Sequence, residues 1–235
     1  MESFSVRVSL MVFGNRGIQP NRNETIGQIR LARFFYGAEY VPLMIVEYPY
    51  RTRRTIKPHQ MDASRVVPHE LLLEILEDAH WAPTHGLTQP WRFHVFSGAA
   101  RGRLADALRD LYDQLTPPVE RREEKREKLG TNVLLAPVSI AVAMRIDPGG
   151  KISEMDEIAA VSSAVQNLML SAHQRGLGSF WATPPVACSP EFAAWLELDS
   201  THRTLGIIYL GYARSGVIPI SSRVPLSERV VFYRE

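Results

Sequence analysis

The sequence predicts a mixed helix–strand fold, α/β or α+β, built around one large core. Two observations carry this. Runs with apolar residues at i, i+3, i+4 and i+7 alternate with short, partly β-branched apolar runs, and no internal repeat is present. The chain has 235 residues, 45% hydrophobic and 22% charged, which fits one large globular domain and not a disordered, coiled-coil or collagen-like chain. A domain of this size buries roughly 70–75% of its unfolded surface and needs no disulfide or metal staple.

Residues 1–49 read as an N-terminal extension of unknown role, followed by a domain over 50–235. Residues 19–23 form a turn cluster, and 24–37 show weak helical periodicity with Ile29, Ala32 and Tyr36 on one face. Residues 40–48 are strand-like, with Pro42 near the start and Pro49 just beyond the end. Met44 is expected to be the functional start, which makes residues 1–43 dispensable. From residue 51 the pattern is denser. Pro68 opens a helix with Leu72, Ile75, Leu76 and Ala79 on one face, and Pro83 closes it. Residues 92–96 alternate as a half-buried strand. Leu104, Leu108, Leu111 and Leu115 mark a second helix that stops at Pro117 and Pro118. The run 120–128 has five basic and four acidic residues, with Glu123/Arg126 and Glu124/Lys128 at helical pairing distances, and predicts a solvated helix or flap. Residues 137–144 form a buried strand and 147–150 a turn. Residues 158–175 form a long apolar helix that Gly176 and Gly178 stop. Phe180 and Trp181 begin a further strand or loop. Ser189 and Pro190 start a short helix as N-cap and first residue. Residues 205–210 form a last central strand, and 217–233 lie extended over something.

Composition and motifs exclude several function classes. The net charge of +2 gives no field for nucleic acid or acidic lipid. No stretch of about 18 apolar residues is present for a membrane span. The N-terminal residues lack a clean secretory cleavage site, and Glu2, Glu24 and Glu39 argue against an organellar transit peptide. A cytoplasmic location is expected. The single Cys188 rules out an intramolecular disulfide and any CxxC site, and packing is the expected role for it ahead of catalysis. His80 and His85, five apart across a proline, do not make a helical zinc pair, so no metal is expected. Residues 176–181 fail the dinucleotide fingerprint because Trp181 stands where its last glycine belongs. No G-x-S-x-G elbow is present.

Two segments carry chemistry. Arg51, Arg53, Arg54 and Lys57 lie within seven residues with Thr52 and Thr55 among them. Arginine forks and hydroxyls suit a phosphate monoester, and a lysine suits a delocalised anion, although such a cluster is also an ordinary solvated surface. Residues 81–91 form a loop with two tryptophans, a histidine and an amide. It suits a planar ligand as well as it suits a Trp-rich core corner.

In order along the chain stand Arg53-Arg54-Thr55-Ile56-Lys57, Ala82-Pro83, Gln89-Pro90-Trp91, Gln166-Asn167-Leu168-Met169-Leu170, Gly176-Leu177-Gly178 with Trp181, Leu210-Gly211-Tyr212, and Arg223-Val224-Pro225-Leu226. Together they resemble the FMN-dependent nitroreductase family over about residues 50–233. His85 in the Ala-Pro-x-His loop resembles its small, minimal subgroup. The resemblance implies an α+β nitroreductase-like fold, a central mixed, antiparallel-rich sheet flanked by helices, in a homodimer with two FMN sites at the subunit interface. Arg53, Arg54 and Thr55 then match the positions for phosphate, ribityl chain and pyrimidine edge. Lys57 matches the cation near N1 and O2, where charge gathers once hydride reaches N5. Trp81, His85 and Gln89 match loop positions that contact flavin, with Trp81 and His85 coming from the neighbouring subunit. Trp181, Ala182 and Thr183 match the segment over the isoalloxazine, with the Thr183 N–H toward N5. Arg223 matches a C-terminal cation that reaches the phosphate.

The implied activity is ping-pong hydride transfer from NADH or NADPH, through flavin N5, to an electron-poor small molecule such as a nitroaromatic or quinone. Lys57 and Thr183 are the residues nearest the chemistry. Alternatives are a same-fold FMN enzyme with another acceptor, as in a dehalogenase or dehydrogenase, or a flavin-binding protein without useful turnover. The sequence departs from the family pattern at Leu87, where many members carry Asn. It departs again at Pro184, where many carry Gly and which has no N–H to donate.

Overall fold

The computed structural model describes residues 21–26, 29–36, 39–45 and 49–234, arranged in two compact units, 1–53 and 54–235. In the first unit, β1 (Asn21–Ile26), β2 (Ile29–Tyr36) and β3 (Glu39–Ile45) form an antiparallel meander in the order β1-β2-β3, and the short helix α1 spans Pro49–Thr52. The helical reading of residues 24–37 is corrected: Ile29–Tyr36 is the central strand of this meander. Phe34, Phe35 and Tyr36 favour a pleated surface more than a helix, and the weak 3.6-residue period could not outweigh them. Pro42 pairs with Arg33 on β3, an edge strand, where a missing N–H costs least. Residues 19–20 of the expected turn and 46–48 of the expected strand lie outside the described residues.

The second unit is built on a four-stranded antiparallel sheet, β4 (Trp91–Ser97), β5 (Val138–Arg145), β7 (His202–Gly211) and β6 (Gly178–Ala182), in the order β4-β5-β7-β6. Helices cover both faces. On one, α2 (His69–His80) and α5 (Glu154–Gln174) pack on Val138, Ile140, Val142 and Met144 of β5 and on Ile208 and Leu210 of β7. On the other, α3 (Ala100–Leu115), α4 (Glu123–Leu135) and α6 (Pro190–Trp195) pack on Ala141, Ile207 and Tyr209. The period-two alternation of β5 and β7 thus divides the core into two layers. All but the last residue of β5 is buried, because both its faces are covered. Among the described residues no helix is long and apolar enough to cross a membrane.

Helix α5 begins four residues before the expected position. Ser153 caps it, its Oγ accepting the Asp156 N–H at 3.2 Å, and Glu154, Asp156 and Glu157 fill the positive end of the helix dipole. An acidic first turn has no apolar period to reveal it.

Two pieces of backbone geometry place the candidate site. First, residues 55–62 run along the β6–β7 edge of the sheet. Thr55 forms a parallel bridge with Ser179, the Ile56 N–H donates to Ser179 O at 3.1 Å, and Met61 forms an antiparallel bridge with Ala213. This approach needs the cross-strand pair Gly178 and Gly211. A Cβ on Gly178 would stand 2.5 Å from Ile56, and one on Gly211 would stand 3.3 Å from the Met61 sulfur and 2.5 Å from Pro137. Gly178 is therefore the first residue of β6 and a clearance for Ile56, not the helix stop expected from sequence. Gly176, with φ +79°, ends α5 alone. Second, β7 bulges against β5, where Ala141 pairs with Ile207 but Ala143 pairs with Thr204. Gly206 takes φ +103° there, and a side chain on it would strike the Ala182 carbonyl.

Replacing Gly178 by Ala should cost about 1–3 kcal/mol, the range for overpacking a core. The drop is read as a lowered Tm; an unchanged Tm would show that Ile56 can simply move aside.

Candidate functional site

Residues 55–58 alternate exposed and buried: Thr55 and Lys57 face outward while Ile56 and Pro58 anchor the strip in the core. Pairing with Ser179 thereby holds a hydroxyl and an ammonium on one outward face beside β6. The Lys57 N–H donates to Gln60 Oε1 at 2.9 Å, which closes the turn after the strip. Arg54 directly precedes Thr55 and is half-buried. Arg53, in the first unit, donates its N–H to Pro49 O at 2.8 Å to end α1. The strip therefore joins Arg54, Thr55 and Lys57 to the strand that ends in Trp181 and Ala182, with Thr183 next after it. Trp181 is committed to the sheet, its Nε1 donating to Leu205 O in the bulge at 2.9 Å. Thr183 lies exposed just past the strand.

Trp81, His85 and Gln89 lie elsewhere. Their loop feeds β4, the outer strand opposite β6, so β5 and β7 stand between the two groups, roughly 14 Å at about 4.8 Å per strand. Trp81 is 80% exposed, with Nε1 donating to Glu77 Oε1 at 3.1 Å. A relay pins the loop to α5: the Gln89 N–H donates to Thr84 Oγ1 at 3.1 Å, Thr84 and Thr88 hydroxyls meet at 3.1 Å, and Thr88 donates to buried Glu157 Oε2 at 2.7 Å. His85 Nδ1 stands 3.7 Å from Asp156 Oδ2. The Ser153 hydroxyl first, and His85 less strongly, hold the Asp156 carboxyl below its ordinary range. Leu87 and Gln89 adopt left-handed backbone, φ +55° and +47°, in this same loop. The departure at Leu87 thus has a physical meaning: a branched residue occupies a conformation that asparagine tolerates better. Arg223 is exposed and turned onto its own loop, with Nη1 donating to Ser221 Oγ at 2.7 Å and Ser222 O at 2.8 Å.

Other readings are resolved locally. Trp91 Nε1 donates to His80 Nδ1 at 3.0 Å, and no group of acidic, histidine or cysteine residues among the described residues could hold a metal. Cys188 is on the surface instead of packed inside, and partial burial pushes its thiol up, the opposite of activation.

Sequence reasoning missed a cavity of about 840 Å³ beside Thr183, between β6, β7, α3 and α4. Its aromatic walls are Tyr112, Phe180, Trp181 and Tyr209, with Phe180 and Tyr209 stacked at 6.1 Å between ring centroids, and Ala182 and Thr183 line it beside Trp181. Burial pushes the Tyr209 phenol above its ordinary range, so it stays a neutral hydroxyl. Pro184, the second departure, lines the same cavity. Lys125, Lys128 and Asn132 of the charged run's helix complete it. The sequence held one signal for this face, the i, i+3, i+7 spacing of those three residues.

A family model described as "Nitroreductase family" matches residues 50–212. Among curated proteins, YfhC of Bacillus subtilis, named as a candidate NAD(P)H nitroreductase, is 28% identical over 180 residues, 76% of this chain and 89% of its own. Among solved structures, a nitroreductase-like family protein of Bacillus cereus has a TM-score of 0.68 and 30% identity, covering 79% of this chain and 94% of its own. A candidate nitroreductase of Desulfovibrio desulfuricans, solved in complex with FMN, has a TM-score of 0.60 and 25% identity, covering 79% of this chain and 95% of its own.

Relieving the left-handed strain by Leu87→Asn should stabilise the protein by roughly 1 kcal/mol. Leu87 is 79% exposed and loses little burial in exchange. Denaturant unfolding measures the gain, and a destabilised variant would refute the strain argument.

Proposed function

The chain belongs to the nitroreductase family, and from that premise we propose that it is a homodimeric, cytoplasmic FMN-dependent oxidoreductase that passes electrons from NADH or NADPH to an electron-poor small molecule, a nitroaromatic or quinone. The observation that carries this reading is the strip Arg54–Lys57 held against β6 just before Thr183. Its donor set fits the cofactor: a guanidinium, a hydroxyl and an ammonium on fixed backbone suit a phosphorylated, anion-forming ligand. The FMN complex of the Desulfovibrio relative supports the same assignment.

FMN, when bound, would supply the two-electron chemistry that links a nicotinamide donor to the acceptor. The protein's own part is position and charge. Arg53, Arg54 and Thr55, with Arg223, would hold the phosphate, the sugar-alcohol chain and the pyrimidine edge. Lys57 fixes a positive charge beside that edge, where preorganised electrostatics lower the barrier without a nucleophilic side chain. Trp181, Ala182 and Thr183 would contact the ring system, with the Thr183 N–H available as a donor, and the partner subunit's Gln89 would add an amide contact. The partner subunit's Trp81 and the partner subunit's His85 complete the site. The separation of the two groups across the sheet supports this division between chains. So does the tail, where Ile218 (83%), Ile220 (94%) and Phe232 (74%) stand exposed on the single chain, apolar surface that a second copy would cover. Residues 1–43 serve no part of this chemistry.

Purified protein should show a flavin absorption spectrum that NADH or NADPH bleaches without oxygen. The Arg53→Ala, Arg223→Ala double variant should weaken FMN binding by about 3 kcal/mol, roughly 100-fold. A chain begun at Met44 should bind FMN as the full chain does. Colourless protein that takes up no FMN overturns the proposal.

A further inference from the structure

The turn between α2 and β4 is anchored by a buried carboxyl that the proposed function does not use. Gly86, Leu87 and Gln89 all take left-handed backbone, φ +60°, +55° and +47°. Two of the three carry side chains, for which that conformation is strained. The turn shows its reactive groups to the outside: His85 and Gln89 are exposed, while Thr84 and Thr88 are partly buried. Its tethers all run to the start of α5 and the residues just before it. A Cβ on Gly86 would stand 3.1 Å from Ile152 Cδ1, so the turn lies directly on that side chain. His85 Nδ1 faces Asp156 Oδ2 at 3.7 Å, and the Thr88 hydroxyl donates to Glu157 Oε2 at 2.7 Å.

The hydroxyls between form a chain with one direction. The Gln89 N–H donates to Thr84 Oγ1 at 3.1 Å, and Thr88 gives its single proton to Glu157 in preference to the His85 carbonyl, which is 3.4 Å away. The Thr84–Thr88 contact of 3.1 Å is then made by the Thr84 proton. Every donor in the chain points toward α5, so its last member must accept. Glu157 is that acceptor. It is 1% exposed, and its Oε1 has no hydrogen-bond partner among the described residues. A buried carboxyl with one idle oxygen is a poor stabiliser, and an apolar side chain of similar size would avoid its desolvation cost. The direction of the chain accounts for Glu157 where stability does not. Resting on the oxidoreductase reading, in which His85 and Gln89 meet the flavin of the neighbouring subunit, we propose that Glu157 and Thr88 are positioning residues for turnover. They act through the turn: their bond holds it in the strained shape that presents His85 and Gln89 in one arrangement.

The test uses the FMN-loaded full-length protein and its double variant Thr88→Val, Glu157→Leu. Replacing both partners by apolar groups orphans neither, so the variant should keep its fold and a Tm close to that of the unaltered protein. Its turn should relax. The expected result is a fall in kcat of about tenfold with little change in KM, an altered visible circular dichroism of the bound flavin, and faster amide exchange across residues 84–90. Glu157→Gln keeps an oxygen for Thr88 and should retain kcat to within about a factor of two. A folded double variant with unaltered kcat and flavin dichroism overturns the inference and leaves the oxidoreductase reading intact. So does a Glu157→Gln protein that loses as much turnover as the double variant, because the acceptor oxygen would then not be what matters. If the double variant does not fold, Thr88→Ser and Thr88→Val decide: only the second should lose turnover, and equal turnover in the two overturns the inference. Unaltered protein that takes up no FMN, or whose flavin NAD(P)H does not bleach, overturns the reading of function, and the inference falls with it.

Discussion

The cross-strand pair Gly178 and Gly211 is the constraint on which the candidate site depends. Two residues without side chains, facing each other on β6 and β7, open a slot at the sheet edge. Ile56, Met61 and Pro137 fill it. Ile56 and Met61 both belong to the core layer under α3, α4 and α6. The basic strip that contains Ile56 therefore cannot drift as a surface loop would. Filling the slot and fixing the strip are the same packing event, and the outward alternation of Thr55 and Lys57 follows from it.

The far end of β6 is set by a different device. The bulge at Leu205 and Gly206 gives Trp181 a carbonyl to bond, and Thr183, just past β6, lines the cavity. The helix above is locked to α3 by Arg126–Asp113 and Arg109–Glu127. These pairs are partly exposed and worth little each, but they fix which face of α4 turns away and so which residues turn inward. The same charged run thus serves two ends: Arg126 and Glu127 anchor the helix, and Lys125 and Lys128 line the cavity.

The loop of Trp81, His85 and Gln89 shows the other side of the design. It is held in left-handed backbone by a hydroxyl relay ending on the buried carboxylate of Glu157. Such strain persists only where surrounding bonds over-determine it, and here the capped start of α5 supplies them. This rigid loop and the basic strip therefore stand at opposite outer strands of the one sheet.

Much of the fold was legible in the sequence because it rests on local periodicity. The repeats in α2 and α3, the unbroken apolar run of β5 and the Ser189 cap each reveal an element through neighbours a few residues away. The motifs around Arg53–Lys57 and 81–91 were legible for the same reason. Where periodicity was weak, as in residues 24–37, or absent, as in the acidic first turn of α5, the reading failed. What the sequence alone determined was a mixed helix–strand domain with a basic strip and a polar, Trp-rich loop. Only the tertiary structure decided that Gly178 makes room for Ile56, that the strip and the loop lie apart, and that Lys125 and Lys128 face a cavity. These depend on contacts between residues tens to more than a hundred positions apart. Such contacts are fixed by close packing, which leaves no period in the chain to read.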